Sequence, residues 1–250
     1  MKKLMKLMAL SAGILVSSCA EKKNMVTQSE EISGRYINKT VLDQAGNLLK
    51  GTVPEYCFEL DFVSNDSVSV FYGFEEAKLA YKKDGNHYKL LKASRYGDMA
   101  FTTNKDGSIS LKDSLWTKIP AASIFMKVPE VKGKKWVFDY YLNDQVIAGT
   151  YLLYDQNKTI GKKVVFMANG KISGLSNYKK YSLCYSGDCV GITKPVSNII
   201  TMISPDLNPK DFSFTIDKNK KTLKIFKLAE PVKNIKGEIS IKEMIFDLRQ

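Results

Sequence analysis

From residue 32 onward the chain alternates apolar and polar residues with period two in run after run. Tyr56-Cys57-Phe58-Glu59-Leu60-Asp61-Phe62 places Tyr56, Phe58, Leu60 and Phe62 on one face, with Cys57, Glu59 and Asp61 on the other. Ser67-Val68-Ser69-Val70-Phe71-Tyr72 and Phe212-Ser213-Phe214-Thr215-Ile216 repeat the pattern. Side chains of a β-strand point alternately to its two faces, so period two is the mark of a half-buried strand. Between such runs lie Asp84-Gly85, Asp106-Gly107, Asn169-Gly170 and Gly187-Asp188. Pairs of this kind supply the positive φ angles of tight hairpin turns. The pattern predicts an all-β, antiparallel, hairpin-rich fold with no long amphipathic helix. Short helical pieces are expected near residues 74–80 and 196–208. A run of short strands with one apolar face buries it best by closing into a barrel, which also removes exposed edges. Its inward positions are rich in Phe, Tyr and Val, which predicts a filled core rather than a roomy cup.

Two correspondences suggest an internal repeat offset by about a hundred residues. Gly34-Arg35-Tyr36 parallels Gly133-Lys134-Lys135-Trp136. Met99 to Asp106 parallels Phe212 to Asn219, each an apolar strand entering a polar turn and returning, as Ile109-Ser110-Leu111 or Leu223-Lys224-Ile225. Tyr81–Leu90 and Tyr181–Val190 also each cross a glycine turn. The expected organisation is two small antiparallel β-barrel or meander domains in tandem, over residues 32–116 and 133–250. A junction at 117–132 is punctuated by Pro120 and Pro129.

The N-terminus breaks the β pattern. Lys2, Lys3 and Lys6 precede an apolar stretch from Leu7 to Val16, and Val16-Ser17-Ser18-Cys19 follows. A charged start, a short apolar stretch and small residues at the end are the features of a secretory signal. A transmembrane helix needs ~20 apolar residues, more than this stretch holds. Val16-Ser17-Ser18-Cys19 resembles the bacterial lipobox. That resemblance implies cleavage after residue 18, diacylglycerol on the Cys19 sulfur and a further acyl group, a palmitate for example, on the new amino terminus. The chain would then be a lipoprotein held in a membrane of the cell envelope. Ala20 in place of a retention aspartate favours the outer membrane, facing the periplasm. Residues 19–31 are polar and read as a flexible tether spanning roughly 20 Å.

Composition adds two constraints. Removing eighteen of the 250 residues leaves a chain of 232, and the three signal lysines reduce the net charge from +12 to +9. Its arginines are Arg35, Arg95 and Arg249; the other basic residues are lysines. Nucleic-acid readers favour arginine for bidentate contacts, so a lysine-solvated surface is the expectation and no nucleic-acid partner is. With Cys19 acylated, Cys57, Cys184 and Cys189 remain. Export permits disulfides, and the turn within Cys184-Tyr185-Ser186-Gly187-Asp188-Cys189 could bring Cys184 and Cys189 together. Cys57 is expected off the main apolar face as a spare thiol.

Trp136, Val165-Phe166-Met167-Ala168-Asn169-Gly170-Lys171-Ile172-Ser173-Gly174, Asn177, Tyr178 and Thr201-Met202 together resemble the META domain, a small β family of bacterial envelope proteins linked to heat-shock and drug-tolerance lipoproteins. The family's Gly-Cys-Asn-x-Tyr run departs here: its cysteine is absent and its asparagine is displaced. No cysteine follows the Thr-Met pair either. The resemblance covers the second half, with Trp136 in its opening strand, and shades into small lipocalin-like domains. Both imply a short twisted sheet closed or nearly closed on itself, and neither implies a reaction.

Motifs for chemistry are sparse. His87 beside the Asp84-Gly85-Asn86 turn lacks a nucleophile and an orienting acid in its vicinity. Glu75 and Glu76 could form an acidic pair with Glu59 or Asp61 of the kind glycosidases use, although on a small β domain such residues are commonly solvated. Trp116 and Trp136 could stack on a sugar or drug ring, or pack at the junction. A single histidine argues against zinc, and no cofactor is expected. Two readings of function follow: a non-catalytic structural or interaction module docking another envelope protein, or a module holding a small apolar or amphipathic ligand in a barrel. The second needs an apolar cavity of about 300 Å³ or more; the first needs an exposed apolar patch or open edge.

Overall fold

Strand β1 (Gly34–Asn38) opens the fold and is stopped by Asn38, whose side-chain oxygen accepts from the Val41 amide at 3.1 Å. That cap starts α1 (Lys39–Asp43), and α2 (Ala45–Leu48) follows. A meander of seven strands comes next: β2 (Glu59–Ser64), β3 (Ser67–Phe71), β4 (Glu76–Asp84), β5 (His87–Ser94), β6 (Gly97–Thr103), β7 (Ile109–Lys112) and β8 (Ser123–Val128). Strand β8 returns beside β1, with Tyr36 opposite Lys127, and closes an eight-stranded antiparallel barrel. This computed structural model describes residues 32–49, 57–85, 87–94, 97–112, 123–186, 198–219, 221–229 and 240–250.

Aromatic side chains occupy the barrel's interior. The Phe62 ring meets Tyr36 edge-on at 5.6 Å and Tyr81 at 5.1 Å, and Tyr88 stacks on Phe101 at 5.1 Å. Leu60, Val68, Leu90 and Ile109 lie among them with almost no exposure. Rings of this size leave little of an eight-stranded interior vacant, in line with the expected filled core.

The second half begins with a helix, α3 (Phe138–Val146), and continues as β9 (Gly149–Asp155), β10 (Lys158–Phe166), β11 (Ile172–Ser173), β12 (Lys180–Leu183), β13 (Ile199–Ile203), β14 (Pro209–Asp217), β15 (Thr222–Leu228) and β16 (Ile241–Arg249). These pair in the order β11-β10-β9-β16-β15-β14-β13-β12. The two ends of that order meet through a bridge between Lys171 and Lys180, so the sheet is nearly closed. Gly174 makes the passage past β10 possible. Its φ is +86°, and a Cβ there would sit 2.0 Å from the Lys163 carbonyl oxygen. Along α3, Phe138, Leu142 and Val146 recur every four residues and are buried with Phe166, Met202, Phe214 and Ile225 of the sheet.

The same apolar cluster reaches into the first half. Ile37, Val41, Leu42, Ala45, Phe58 and Val128 belong to it. Strand alternation explains how: Tyr36 points into the first barrel, and its neighbour Ile37 points out into the shared cluster. Residues 32–250 accordingly form one compact unit holding two barrel-like sheets.

The all-β, two-domain expectation is met, and several details differ. Residues 76–84 and 199–203 are strands, where short helices were expected. Helices occur instead at α1, α2 and α3. The α3 segment is rich in Phe and Tyr, residues that favour strands, and the apolar spacing of four overrides that preference. Trp136 precedes α3 and lies outside any strand, so Gly133–Trp136 is not the counterpart of β1. Residues 123–128, within the expected junction, supply the closing strand β8, and Pro129 follows a strand rather than sitting in a linker; Pro120 lies outside the described residues. Cys57 is fully buried in the first barrel's core, not on its outside, because regular alternation begins only at Glu59. The correspondence of Met99–Asp106 with Phe212–Asn219 holds as strand–turn–strand in β6–β7 and β14–β15, while the end of Tyr181–Val190 lies outside the described residues.

Because one cluster serves both sheets, truncating it should weaken the whole unit. Leu142→Ala is expected to cost ~2–5 kcal/mol and to lower the midpoint of a single urea unfolding transition. Two separated transitions, with only one displaced, would contradict the shared core.

Candidate functional site

The outward face of β1 and β2 carries charge where it meets the start of α3. Arg35 lies opposite Asp61, and Ile37 opposite Glu59. Glu59 is completely buried. Its Oε2 accepts hydrogen bonds from the backbone amides of Val137 at 2.7 Å and Phe138 at 2.9 Å. Val137 is the N-cap residue of α3 and makes no side-chain cap of its own. A side chain of the first barrel thus satisfies amides that the helix leaves open. An anion is favoured there by the helix dipole and by charge-assisted bonding.

Arg35 completes the cluster. Its Nη2 donates to Asp61 Oδ2 at 3.0 Å, and its Nε lies 3.2 Å from Glu59 Oε1. The second contact is close in distance but falls outside hydrogen-bond geometry, and Arg35 Nε, Arg35 Nη1 and Glu59 Oε1 are buried without a hydrogen bond. The guanidinium also stands 6.0 Å from the centroid of the Trp136 ring. Trp136 stacks on Phe71 at 5.1 Å and donates Nε1–H to Glu76 Oε2 at 2.8 Å. Lys135 pairs with the other Glu76 oxygen.

Aromatic contacts flank the charges. Phe58 lies 4.9 Å from both Phe138 and Tyr185, and the Tyr185 hydroxyl donates to Asp139. Gly73, at φ +99°, allows the β3–β4 turn to press against this group; a Cβ there would overlap Ser186 and Phe58.

Burial sets the ionisation of the cluster. Glu59 is pushed up to about 7, first by loss of water, with Asp61 adding to the effect. The Val137 and Phe138 amides and Arg35 act in the opposite direction. Since this lies above the ordinary value of 4.5, the stability linked to Glu59 is full below that value and declines as pH rises to about 7. Burial, Asp139 and Glu59 hold the Tyr185 hydroxyl well above the usual phenol range. Glu76 is held below the usual carboxylate range, first by its bond from Lys135 and then by Trp136.

Two surface clefts adjoin the cluster. One, of about 180 Å³, lies between α3 and β12 and is lined by Lys134, Asp139, Asn143, Lys180, Ser182 and Tyr185 among others. The other, of about 250 Å³, runs along Glu76, Lys78, Lys135 and Trp136. Both are mixed in polarity and smaller than an ordinary small-molecule pocket. No group of three or more metal-binding side chains occurs among the described residues.

The residues singled out in the sequence fall in different places. Glu59 and Asp61 come together, on Arg35, whereas Glu76 is engaged by Lys135 and Trp136. Glu75 is exposed. His87 is exposed at the start of β5, opposite Asp84. Cys184 is disulfide-bonded, while Cys57 is a buried thiol. Cys19, Cys189 and Trp116 lie outside the described residues. No helix among the described residues is long and apolar enough to cross a membrane. Sequence reading missed the role of Arg35 and the Tyr185–Asp139 pair. The usable signal was Arg35 itself, an arginine inside a strand of a chain that otherwise prefers lysine.

Removing Arg35 would leave Glu59 buried without a counter-charge. Arg35→Ala should therefore cost ~3–5 kcal/mol in denaturant unfolding, whereas Lys135→Ala, at an exposed pair, should cost ~1 kcal/mol or less. Equal losses in the two variants would overturn this ranking.

Comparison of the chain with family models, with curated proteins and with solved structures finds no match.

Proposed function

We propose that this chain is an exported lipoprotein, acylated at Cys19 and tethered by residues 19–31 to the periplasmic face of the outer membrane. Its two β-barrel units would serve there as a non-catalytic module that docks another envelope protein. The META-like and lipocalin-like features noted above suit such a module, since neither family pattern brings a reaction with it.

The observation that carries the reading is where apolar surface is used and where it is left over. The first barrel's interior is occupied by its own rings, and the second sheet's inward residues pack on α3. Apolar residues are left over on the outer face of β15 and β16. Two bulges in β16 set Met244 opposite Phe226 and Ile241 opposite Leu228. Met244 and Ile241 are about half exposed, and their two partners are partly so. Leu152 on β9 adds exposed apolar surface on the same sheet. Clusters of this kind on a soluble surface are associated with protein contacts. The ligand-holding alternative has less support, because the clefts described above are small and mixed in polarity.

Two measurements test the reading. Cys19→Ser should move the protein out of the membrane fraction, and unchanged attachment would refute the lipid anchor. A photo-crosslinking residue at position 244 should capture one defined envelope protein in intact cells. The yield should fall at least several-fold when Ile241 is also replaced by Lys. A lipid or metabolite co-purifying at unit stoichiometry in native mass spectrometry, with no such adduct, would favour the ligand-holding module instead.

A further inference from the structure

We propose that the contact between the first barrel and helix α3 is a proton-operated latch: with a proton on the buried Glu59 carboxylate the contact is held shut, and loss of that proton loosens it.

The charge balance of the cluster leads to this. Two carboxylates, Glu59 and Asp61, share a single guanidinium, that of Arg35. With both acids ionised the group carries a surplus negative charge at a place where Glu59 has no access to water. The groups facing it from neighbouring elements do not remove the surplus. Asp139 on α3 is an acid, not a counter-charge, and accepts from the Tyr185 hydroxyl in the segment after β12. Tyr141 on α3 and Tyr185 both feel the Glu59 charge and supply none of the opposite sign. On β4, Glu76 is matched by Lys135. A proton has an evident place to go. Glu59 Oε1 is buried and makes no hydrogen bond, whereas Oε2 alone receives the Val137 and Phe138 amides. Protonation at Oε1, the oxygen 3.2 Å from Arg35 Nε, cancels the surplus at the expense of that ion pair and leaves both helix contacts at Oε2 intact.

Opening the contact would return Glu59 to water and to ordinary carboxylate behaviour. The closed form therefore keeps its proton to higher pH than the open form, and acid favours closure. The burial-driven shift of Glu59 from 4.5 to about 7 corresponds to a change on the order of 100-fold in the closed-to-open ratio between mildly acidic and mildly alkaline solution. The elements that separate carry Phe58 on one side and Phe138 and Tyr185 on the other, with Trp136 lifted from Phe71. Loosening would therefore expose apolar surface beside the two clefts. The latch involves the junction alone and operates whether or not an envelope partner docks.

Trp136 is a built-in reporter. The chain has two tryptophans, so Trp116→Phe in the full-length protein leaves Trp136 as the only one. Acrylamide quenching of its fluorescence is measured from pH 4 to 8.5, with far-UV circular dichroism recorded in parallel. Quenching should rise several-fold with a midpoint near 7 while the dichroism stays constant. Glu59→Gln, neutral throughout, should hold quenching low across the range. Asp61→Asn should move the midpoint to lower pH, because the Asp61 charge helps Glu59 retain its proton. A flat profile in the parent, an unchanged rise in Glu59→Gln, or a midpoint unmoved by Asp61→Asn would each overturn the latch. Should Glu59→Gln fail to fold, the direction of the Asp61→Asn shift decides.

Discussion

A carboxylate shut away from water has to find its partners within the protein, and Glu59 finds them on both sides of it in the sequence, the helix amide of Val137 lying 78 residues further on. The neighbouring strand β1 supplies Arg35, and the start of α3 supplies two amides. The consequence is mechanical as well as electrostatic. Helix α3 has no cap of its own, so its first turn is completed only when it sits on the first barrel. Docking brings Phe138 and Leu142 into register with Ile37 and Phe58, and the apolar cluster forms around that alignment. Burial of apolar area is non-directional and would tolerate many arrangements of a helix on a sheet. The bonds at Glu59 select one of them.

That selection explains why each strand at the junction divides its side chains as it does. A barrel strand ordinarily faces a core on one side and water on the other. In β1 the inward residue Tyr36 joins the first core, while Ile37 on the outer face joins the second. Arg35 shares the outer face with Ile37, so charge and apolar contact are adjacent on one short strand. The helices α1 and α2 extend the outer contact through Val41, Leu42 and Ala45. The first barrel thus contributes to two cores and the second to one. An outer face with two uses restricts its composition more tightly than solvent exposure would.

The sequence displayed the strands and their turns because period-two alternation is local and repeated. Asp84-Gly85, Asp106-Gly107 and Asn169-Gly170 all sit where the chain reverses. Alternation says which residues share a face, but not whether the outer face meets water or another element. Glu59 and Asp61 were visible as outward acids, and only the fold reveals that one of them is sealed by α3. Helix α3 was missed for a related reason. Phe138, Tyr140 and Tyr141 have strand-favouring chemistry, and the spacing of Phe138, Leu142 and Val146 is short enough to be overlooked. The strand at residues 123–128 was hidden by the prolines on either side of it, which punctuate a chain whether they flank a loop or an edge.

The choice of arginine at residue 35 follows from the same geometry. Lysine dominates the basic residues of this chain, as suits a solvated surface. At the junction the cation has to reach two carboxylates on alternate positions of one strand, with a tryptophan ring beside it. An ammonium group is a compact, strongly hydrated point charge; burying it would cost more, and its bonds would converge on one site. A guanidinium presents separate donors along a plane, is less strongly hydrated and lies readily against an aromatic face. Arg35 uses Nη2 for Asp61 and turns Nε toward Glu59, with Trp136 nearby. In this arrangement its Nε and Nη1 are buried without a hydrogen bond. Burial, opposed only in part by the helix amides and Arg35, pushes the Glu59 carboxyl up to about 7. A fully matched cluster at this position would stabilise the junction and make it indifferent to pH.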